Sequence, residues 1–389
     1  MKISLATNFD NGLIDQIKGY EVYEIYGRLT EDYLSGGRPT NAIQPILKEQ
    51  FESHVKKVRE AGINFNYLLN GACTENLEQD KTWRQNFKDF ILYLKSVGVN
   101  AFTITNPLIL ILVKKIYPES ICRVSTFSCV NTLEKAKYWE SMGADIICAD
   151  FVSINRNFTL LKTMCEELKT AKIEILVTNS CIKDCPYIHT HTNSISHASL
   201  KNGTGGYVDW CLFKCQNKEL LNPYEYIKSP WVRPEDIAEY EKIGIEHFKI
   251  TERDFPTEIL LKRLKAYTNR TYDGNLLDLI QGHGYMLAST TPEKFVKNEN
   301  LETKEDVIKE IYRVRGFKQE RKVESHCFID NKKLDGFLKF FTDGNCSGNC
   351  SKCGYCKNIA KNTITVNDEI SQHLIFCYEK LESFMTEVE

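Results

Sequence analysis

The chain of 389 residues carries fifteen cysteines, and eight of them fall into two closely spaced sets. The first is Cys181-x3-Cys185 followed by Cys211-x3-Cys215, in the stretches NSCIKDCPYIHTHTNSISH and DWCLFKCQN. Two pairs of thiolates on one segment can hold tetrahedral zinc or a [4Fe–4S] cube. Zinc knuckles mostly use C-x2-C, whose tight turn aims two sulfurs at one ion, so the looser spacing favours the larger iron–sulfur core. Zinc, and thiols that are simply redox-active or core residues, are the other readings of this set. The second set is Cys346-x3-Cys350-x2-Cys353-x2-Cys356. It contains the C-x3-C-x2-C spacing of radical S-adenosylmethionine enzymes, but only 33 residues follow Cys356, too few to build the site for that cofactor. A fourth cysteine also closes the coordination sphere. The expected occupant is a second, closed [4Fe–4S] cluster for electron transfer, or a structural zinc. The remaining cysteines, Cys73, Cys122, Cys129, Cys148, Cys165, Cys327 and Cys377, mostly sit in apolar patterns and read as small core residues.

Three of the eight histidines, His189, His191 and His197, crowd the first cysteine segment. Neutral imidazole binds metal and titrates near neutrality, so they are candidate acid–base groups or a further ligand, set against the ordinary reading of solvated loop side chains. Upstream, Gly36-Gly37-Arg38-Pro39 makes a flexible turn that holds an arginine whose fork suits a carboxylate. Arg28 is a second such candidate, and a solvated loop arginine is the plain alternative for both.

These groups need a scaffold. Eight β-branched or aromatic runs, at 3–6, 21–26, 64–69, 100–104, 122–126, 145–149, 173–177 and 246–250, alternate with helix-like stretches at 42–61, 81–97, 131–142, 155–170, 234–243 and 254–267. Strand–helix repetition of this kind predicts an α/β fold, a (β/α)8 TIM-like barrel, over residues 1–271. The remainder, 272–389, is expected to form a small C-terminal cysteine-rich module ending in a helix near 366–385. Two connections, 27–41 and 178–232, are longer than ordinary barrel loops and follow strand C-termini, the face where barrels place their chemistry. Polar residues expected at strand ends are Asn8, Glu24, Asn70, Asp150, Asn179 and Lys249. Side chains alternate in direction along a strand, so about half should face the pocket; Asn70 and Lys249 are the preferred pair.

Fifty basic and fifty-two acidic side chains give a net charge of −2, which supplies no global attraction to a polyanion. No apolar run is long enough to span a bilayer, and the N-terminal MKISLATNFDNG turns polar too early for a signal peptide. A cytoplasmic, non-membrane protein is therefore expected, and in that setting abundant thiols are more often ligands or core residues than disulfides.

The run NSCIKDCPYIHTHTNSISH, the later CLFKC, the stretch NPYEYIKSPWVRPEDIAEYEKIGIEHFKI and the N-terminal YGRLTEDYLSGGRP together resemble the peptidase U32 family, across roughly residues 1–270. That family comprises barrel proteins first described as collagenase-like proteases. Some members implicated in oxygen-independent hydroxylation, in ubiquinone synthesis and in modification of transfer or ribosomal RNA, carry a four-cysteine [4Fe–4S] cluster and are proposed to use prephenate as oxygen donor. The resemblance implies cluster binding by this chain, with prephenate or a similar carboxylate held by arginines, and favours His197 among the three histidines. Ligand spacing in those members is less compact than two C-x3-C pairs, which leaves the choice between Cys181 and Cys185 open. The substrate implied is a nucleoside in RNA, a quinone precursor or a peptide, and a related chain of the same family is an implied partner. A metal-dependent peptidase and a non-catalytic redox scaffold are the alternatives. The sequence has neither a G-x-S-x-G elbow nor an H-E-x-x-H pair, so the protease reading finds little support in its residues.

Overall fold

The computed structural model describes residues 1–30, 32–40, 43–200, 208–253, 255–280, 282–316 and 319–388. Eight parallel strands close a barrel: β1 (Lys2–Ala6), β2 (Val22–Gly27), β3 (Asn64–Leu69), β4 (Ala101–Ile104), β5 (Ile121–Val124), β6 (Ile146–Cys148), β7 (Lys172–Leu176) and β8 (His247–Ile250). Closure is made by β8 on β1, with Lys2 opposite His247 and Leu5 opposite Ile250. All eight strands expected from the sequence are present within one or two residues of the expected bounds.

Helices between the strands are set by local signals as much as by packing. Asp80 caps Lys81–Ser96 by accepting from the Trp83 amide, and Asn106 caps Pro107–Ile116, where proline occupies the first turn and loses no hydrogen bond. The helix expected from residue 42 begins only at Lys48, behind Pro45, because a proline pushes the residue before it out of the helical region; residues 41–42 lie outside the described chain. Apolar faces of these helices, such as Phe87, Ile91 and Leu94, pack on outward-facing strand residues to form one core.

Inside the barrel the floor is polar. Arg123 is buried between Glu24 and Glu174, with its Nε 3.2 Å from Glu174, and Ser4, Asn66 and Thr103 complete the network. Glu24 therefore lies below the mouth as part of this network, rather than among the pocket-lining strand ends expected of it.

The long connection after β7 folds into helices Ile188–Ala198, Trp210–Leu221 and Tyr224–Lys228. Beyond residue 272, helix Lys304–Arg315 packs on the terminal helix Asp368–Thr386. Both share an apolar cluster with Phe213 and Leu220 of the Trp210–Leu221 helix. Leu276, Leu277, Phe337 and Phe341 join the core of the barrel itself. The Ser229–Asp236 stretch is the seam: buried Arg233 pairs with Asp236 at 2.9 Å and with Asp335 at 3.0 Å, and Trp231 packs on Phe337. Among the described residues no helix is long and apolar enough to cross a membrane.

Candidate functional site

A cavity of about 630 Å³ opens at the C-terminal ends of the strands. Its walls come from Tyr26 at the end of β2, Asn70 after β3, Ser125 after β5, Asn179 after β7 and Lys249 in β8, together with the connection that carries the first cysteine set. Of the four side chains singled out from the sequence as candidate catalytic groups, Arg38, Asn70 and Lys249 line this cavity.

Arg38 is delivered by the loop after β2. That loop is fixed from within by Arg28, which is buried and bonds to the Asp32 carboxylate at 2.7 Å and the Leu34 carbonyl at 2.8 Å. Arg28 is thus a structural residue and not a second pocket arginine. A Cβ at position 36 would collide with its guanidinium, which is why glycine stands there. The Gly37 amide donates to Asn70 Oδ1 at 3.2 Å, so Asn70 both lines the cavity and holds the turn before Arg38. Arg38 Nη2 lies 3.1 Å from Glu252, whose backbone adopts a positive φ of 81°. A non-glycine residue there is strained, a state that persists where surrounding structure imposes it and that clusters at functional sites.

Lys249 reaches into the cavity with Nζ 4.3 Å from the centre of the Tyr26 ring. Burial lowers its pKa, opposed by the Glu174 carboxylate beneath it. No carboxylate forms an ion pair with it among the described residues, so its amine is available to an anionic ligand or to a proton.

Cys181 and Cys215 line the same cavity, beside Asp209, Gln216 and Glu219. Asn179 Oδ1 accepts from the Cys181 amide at 2.8 Å, and Ser229 Oγ donates to the Cys181 carbonyl at 2.8 Å. Cys211 and Cys215 ride one helix, capped by Asp209 and tied to the terminal helix through Gln216, which accepts from the Tyr378 hydroxyl at 2.7 Å. Burial pushes all four thiols up, Cys211 to about 11; the charges of Glu219 and the neighbouring thiols add to this at Cys181 and Cys215. Such thiols stay protonated until a cationic centre displaces their protons. Among the described residues no three His, Cys, Asp or Glu side chains are gathered tightly enough to hold a single metal ion. A zinc tetrahedron requires sulfurs about 3.8 Å apart, whereas a cubane spreads its ligands around a larger core. Of the four thiols, Cys181 and Cys215 line the cavity, and Cys185 and Cys211 are not part of its lining.

The histidines divide in a way the sequence did not indicate. His197 lies on the exposed side of its helix and pairs with Glu75 at 3.1 Å, away from the cavity. His189 is exposed as well. His191, two residues beyond it, turns into the cavity and meets Asp209 at 2.8 Å. The helical repeat of Ile188–Ala198 separates them, and the connection gave no sign of being helical there. Among the strand-end residues, Asn8 braces Phe255 and Thr257, and Asp150 caps the short helix Phe151–Ile154. Glu252, Arg253, Glu219 and Asp209 are cavity residues absent from the candidates read in the sequence, hinted at only by their nearness to β8 or to the cysteines; of the three candidate histidines it is His191, and not the favoured His197, that reaches the cavity.

The second cysteine set stands elsewhere. Cys346, Cys350 and Cys353 are exposed and Cys356 is half-buried.

A sequence model of Peptidase family U32 matches residues 41–271. The uncharacterized protease MJ1657 of Methanocaldococcus jannaschii is 27% identical over 349 residues, covering 89% of this chain and 90% of that protein. Among solved structures, the U32 peptidase Mk0906 aligns at 20% identity with a TM-score of 0.49, over 66% of this chain and 95% of its own. A native KDPGal structure aligns at 10% identity with a TM-score of 0.38, over 69% and 93%.

Proposed function

The chain belongs to peptidase family U32, and from that premise we propose that it is an iron–sulfur-dependent, oxygen-independent modifying enzyme of the hydroxylase type. The observation that carries this reading is the composition of one cavity, in which the cations Arg38, Lys249 and Arg253 share walls with Cys181 and Cys215. Cations in the cavity lining, which here stand beside Asp209, Glu219 and Glu252, are what a carboxylate-bearing oxygen donor such as prephenate needs. Arg38 offers a planar fork for one carboxylate, and Glu252 fixes its orientation before the ligand arrives. Lys249 supplies a second positive charge whose partial desolvation strengthens its pull on an anion. Leu68, Leu176, Phe127 and Phe151 give the cavity apolar surface against which a ring can pack and from which water is displaced.

Cys181, Cys185, Cys211 and Cys215 are the residues that would hold a [4Fe–4S] cluster, which when bound supplies one-electron chemistry at the cavity rim. Cys346, Cys350, Cys353 and Cys356 would hold a second cluster or a zinc ion. His191, bonded to Asp209 at 2.8 Å, lines the cavity beside Cys181 and Cys215. A hydrolytic reading, a metal-dependent peptidase, has that same pair on its side, since an imidazole fixed by a carboxylate can serve as a general base.

The deciding experiment is iron, acid-labile sulfide and zinc content with a visible spectrum on anaerobically purified protein, before and after Cys211→Ser/Cys215→Ser. Two cubanes require about eight irons, halved by the substitution, with broad absorbance near 400 nm. Stoichiometric zinc without iron would move the hydrolytic reading to the front.

A further inference from the structure

Residues 344–367 contain Lys352, Lys357 and Lys361 and not one acidic residue, in a chain whose net charge is −2. All three lysines are exposed, and no described carboxylate pairs with them. Lys352 lies in the short helix Cys350–Cys353, and Lys357 and Lys361 lie on the next helix, Tyr355–Thr363, which also carries Cys356; Cys346, Cys350 and Cys353 are exposed. Positive charge around an exposed ligand set raises the local concentration of anionic partners and speeds their encounter.

The inner side of this set faces the barrel. Cys346, Cys350 and Cys356 line a cleft of about 300 Å³ whose other walls include Phe151, Val152 and Arg156. Phe151 and Val152 belong to a small apolar cluster against which Cys181 and Cys185 pack from the other direction. The Asp184 amide, between those two cysteines, donates to the Val152 carbonyl at 2.9 Å. Phe151 and Val152 thus form an apolar partition that borders the second set's cleft on one side and packs with Cys181 and Cys185 on the other, and Phe151 also lines the barrel cavity. Arg156 is fixed at the foot of the cleft, its guanidinium 4.3 Å from the Trp231 ring and bonded to the carbonyls of Ile227 and Trp231. It is a built-in countercharge for an anionic centre held by the quartet.

We propose that the C-terminal cysteine quartet and its lysines form the docking port for a small acidic one-electron carrier protein, from which electrons pass across the Phe151–Val152 partition to the barrel site. The inference rests on the iron–sulfur reading given above. Each transfer oxidises the carrier by one electron and reduces the quartet's centre by one, with no atom exchanged.

The test is stopped-flow oxidation of a chemically reduced plant-type [2Fe–2S] ferredoxin by the full chain under anaerobic conditions. Wild type should oxidise it in a bimolecular step that slows as salt is added. Lys352→Glu/Lys357→Glu/Lys361→Glu should lose about 10- to 1,000-fold of that rate at low salt, with iron content and reduction by dithionite unchanged. The matching Lys→Gln triple variant, which reverses no charge, should show a smaller loss and covers the case in which charge reversal harms folding. A rate that ignores both variants, or one that does not depend on salt, overturns the proposal. Zinc at the quartet with iron kept at the barrel set overturns the docking port but leaves the proposed function standing. Fast transfer abolished by Cys350→Ser, in a protein whose iron is untouched by Cys211→Ser/Cys215→Ser, keeps the port and removes the barrel-cluster reading instead.

Discussion

The two cysteine sets use one kind of ligand in opposite surroundings. Cys181, Cys185, Cys211 and Cys215 are half-buried or buried, on segments braced by β7, by the Ser229 hydroxyl and by the terminal helix, and two of them face a cavity with charged walls. Cys346, Cys350 and Cys353 are exposed on a short basic segment attached to the barrel through a few aromatic side chains. Thiolate chemistry is set by environment, through dielectric, countercharge and access. The enclosed set suits chemistry on a bound ligand, and the exposed set suits exchange with something in solution.

The sharpest way to break this contrast is to remove one thiol from each set. Cys215→Ser should reduce turnover by well over the ~10–100-fold that loss of a supporting partner costs at a metal site. Cys350→Ser should slow carrier-driven turnover yet leave a single turnover by dithionite-reduced enzyme near wild type. Equal damage in that single-turnover assay would erase the distinction between the sets.

Next in size is the attachment between them. Phe337 is 2% exposed and packs on Trp231, Phe341 and Tyr355. Phe337→Ala should cost about 3–5 kcal/mol in denaturant unfolding and slow carrier-driven reduction more than dithionite reduction. If the seam is only structural, both reductions will change alike.

Within the cavity, Arg38→Lys keeps the charge and loses the fork, so KM for a dicarboxylate donor should rise about 10–100-fold with a smaller change in kcat. Glu252→Gln should move KM in the same direction by less, because it removes one partner that orients Arg38 and leaves the guanidinium in place. A kcat effect alone would argue against a binding role for this pair.

The smallest effect concerns acid. Burial lowers His54 to about 4; its ring nitrogens lie 2.8 Å from the Thr7 hydroxyl and 2.9 Å from Asn11 Oδ1. The unfolded chain takes up this proton near pH 6.5 and the folded one only near 4. The folded state is therefore disfavoured as pH falls through that window, by on the order of 2 kcal/mol at pH 5. His54→Gln should remove that part of the difference between unfolding curves at pH 7 and pH 5. The basic segment 344–367 has no histidine or carboxylate to titrate in that range, so this loss belongs to the barrel.

Much of the barrel was legible in advance because its signals are local. Runs such as NFNYLL and caps such as Asp80 and Asn106 act within a few residues, and β3 appears where the pattern placed it. The Gly36-Gly37-Arg38 turn and the first cysteine set were likewise visible in the sequence as neighbours of the cavity that Arg38, Cys181 and Cys215 line. Other features depend on distant partners. Glu24 reads as a strand-end carboxylate until Arg123, 99 residues away, draws it into the barrel floor. His197 and His191 are equivalent neighbours of the cysteines until a helix sends one to Glu75 and the other to Asp209. Glu252 becomes a site residue only because the chain after β8 turns through a strained φ to meet Arg38. The sequence by itself determined the repeat that closes the barrel and the two thiol sets, since residue types and spacing suffice for both. Only the tertiary structure decided which set is enclosed and which is exposed, because burial and countercharge come from segments far apart in the chain.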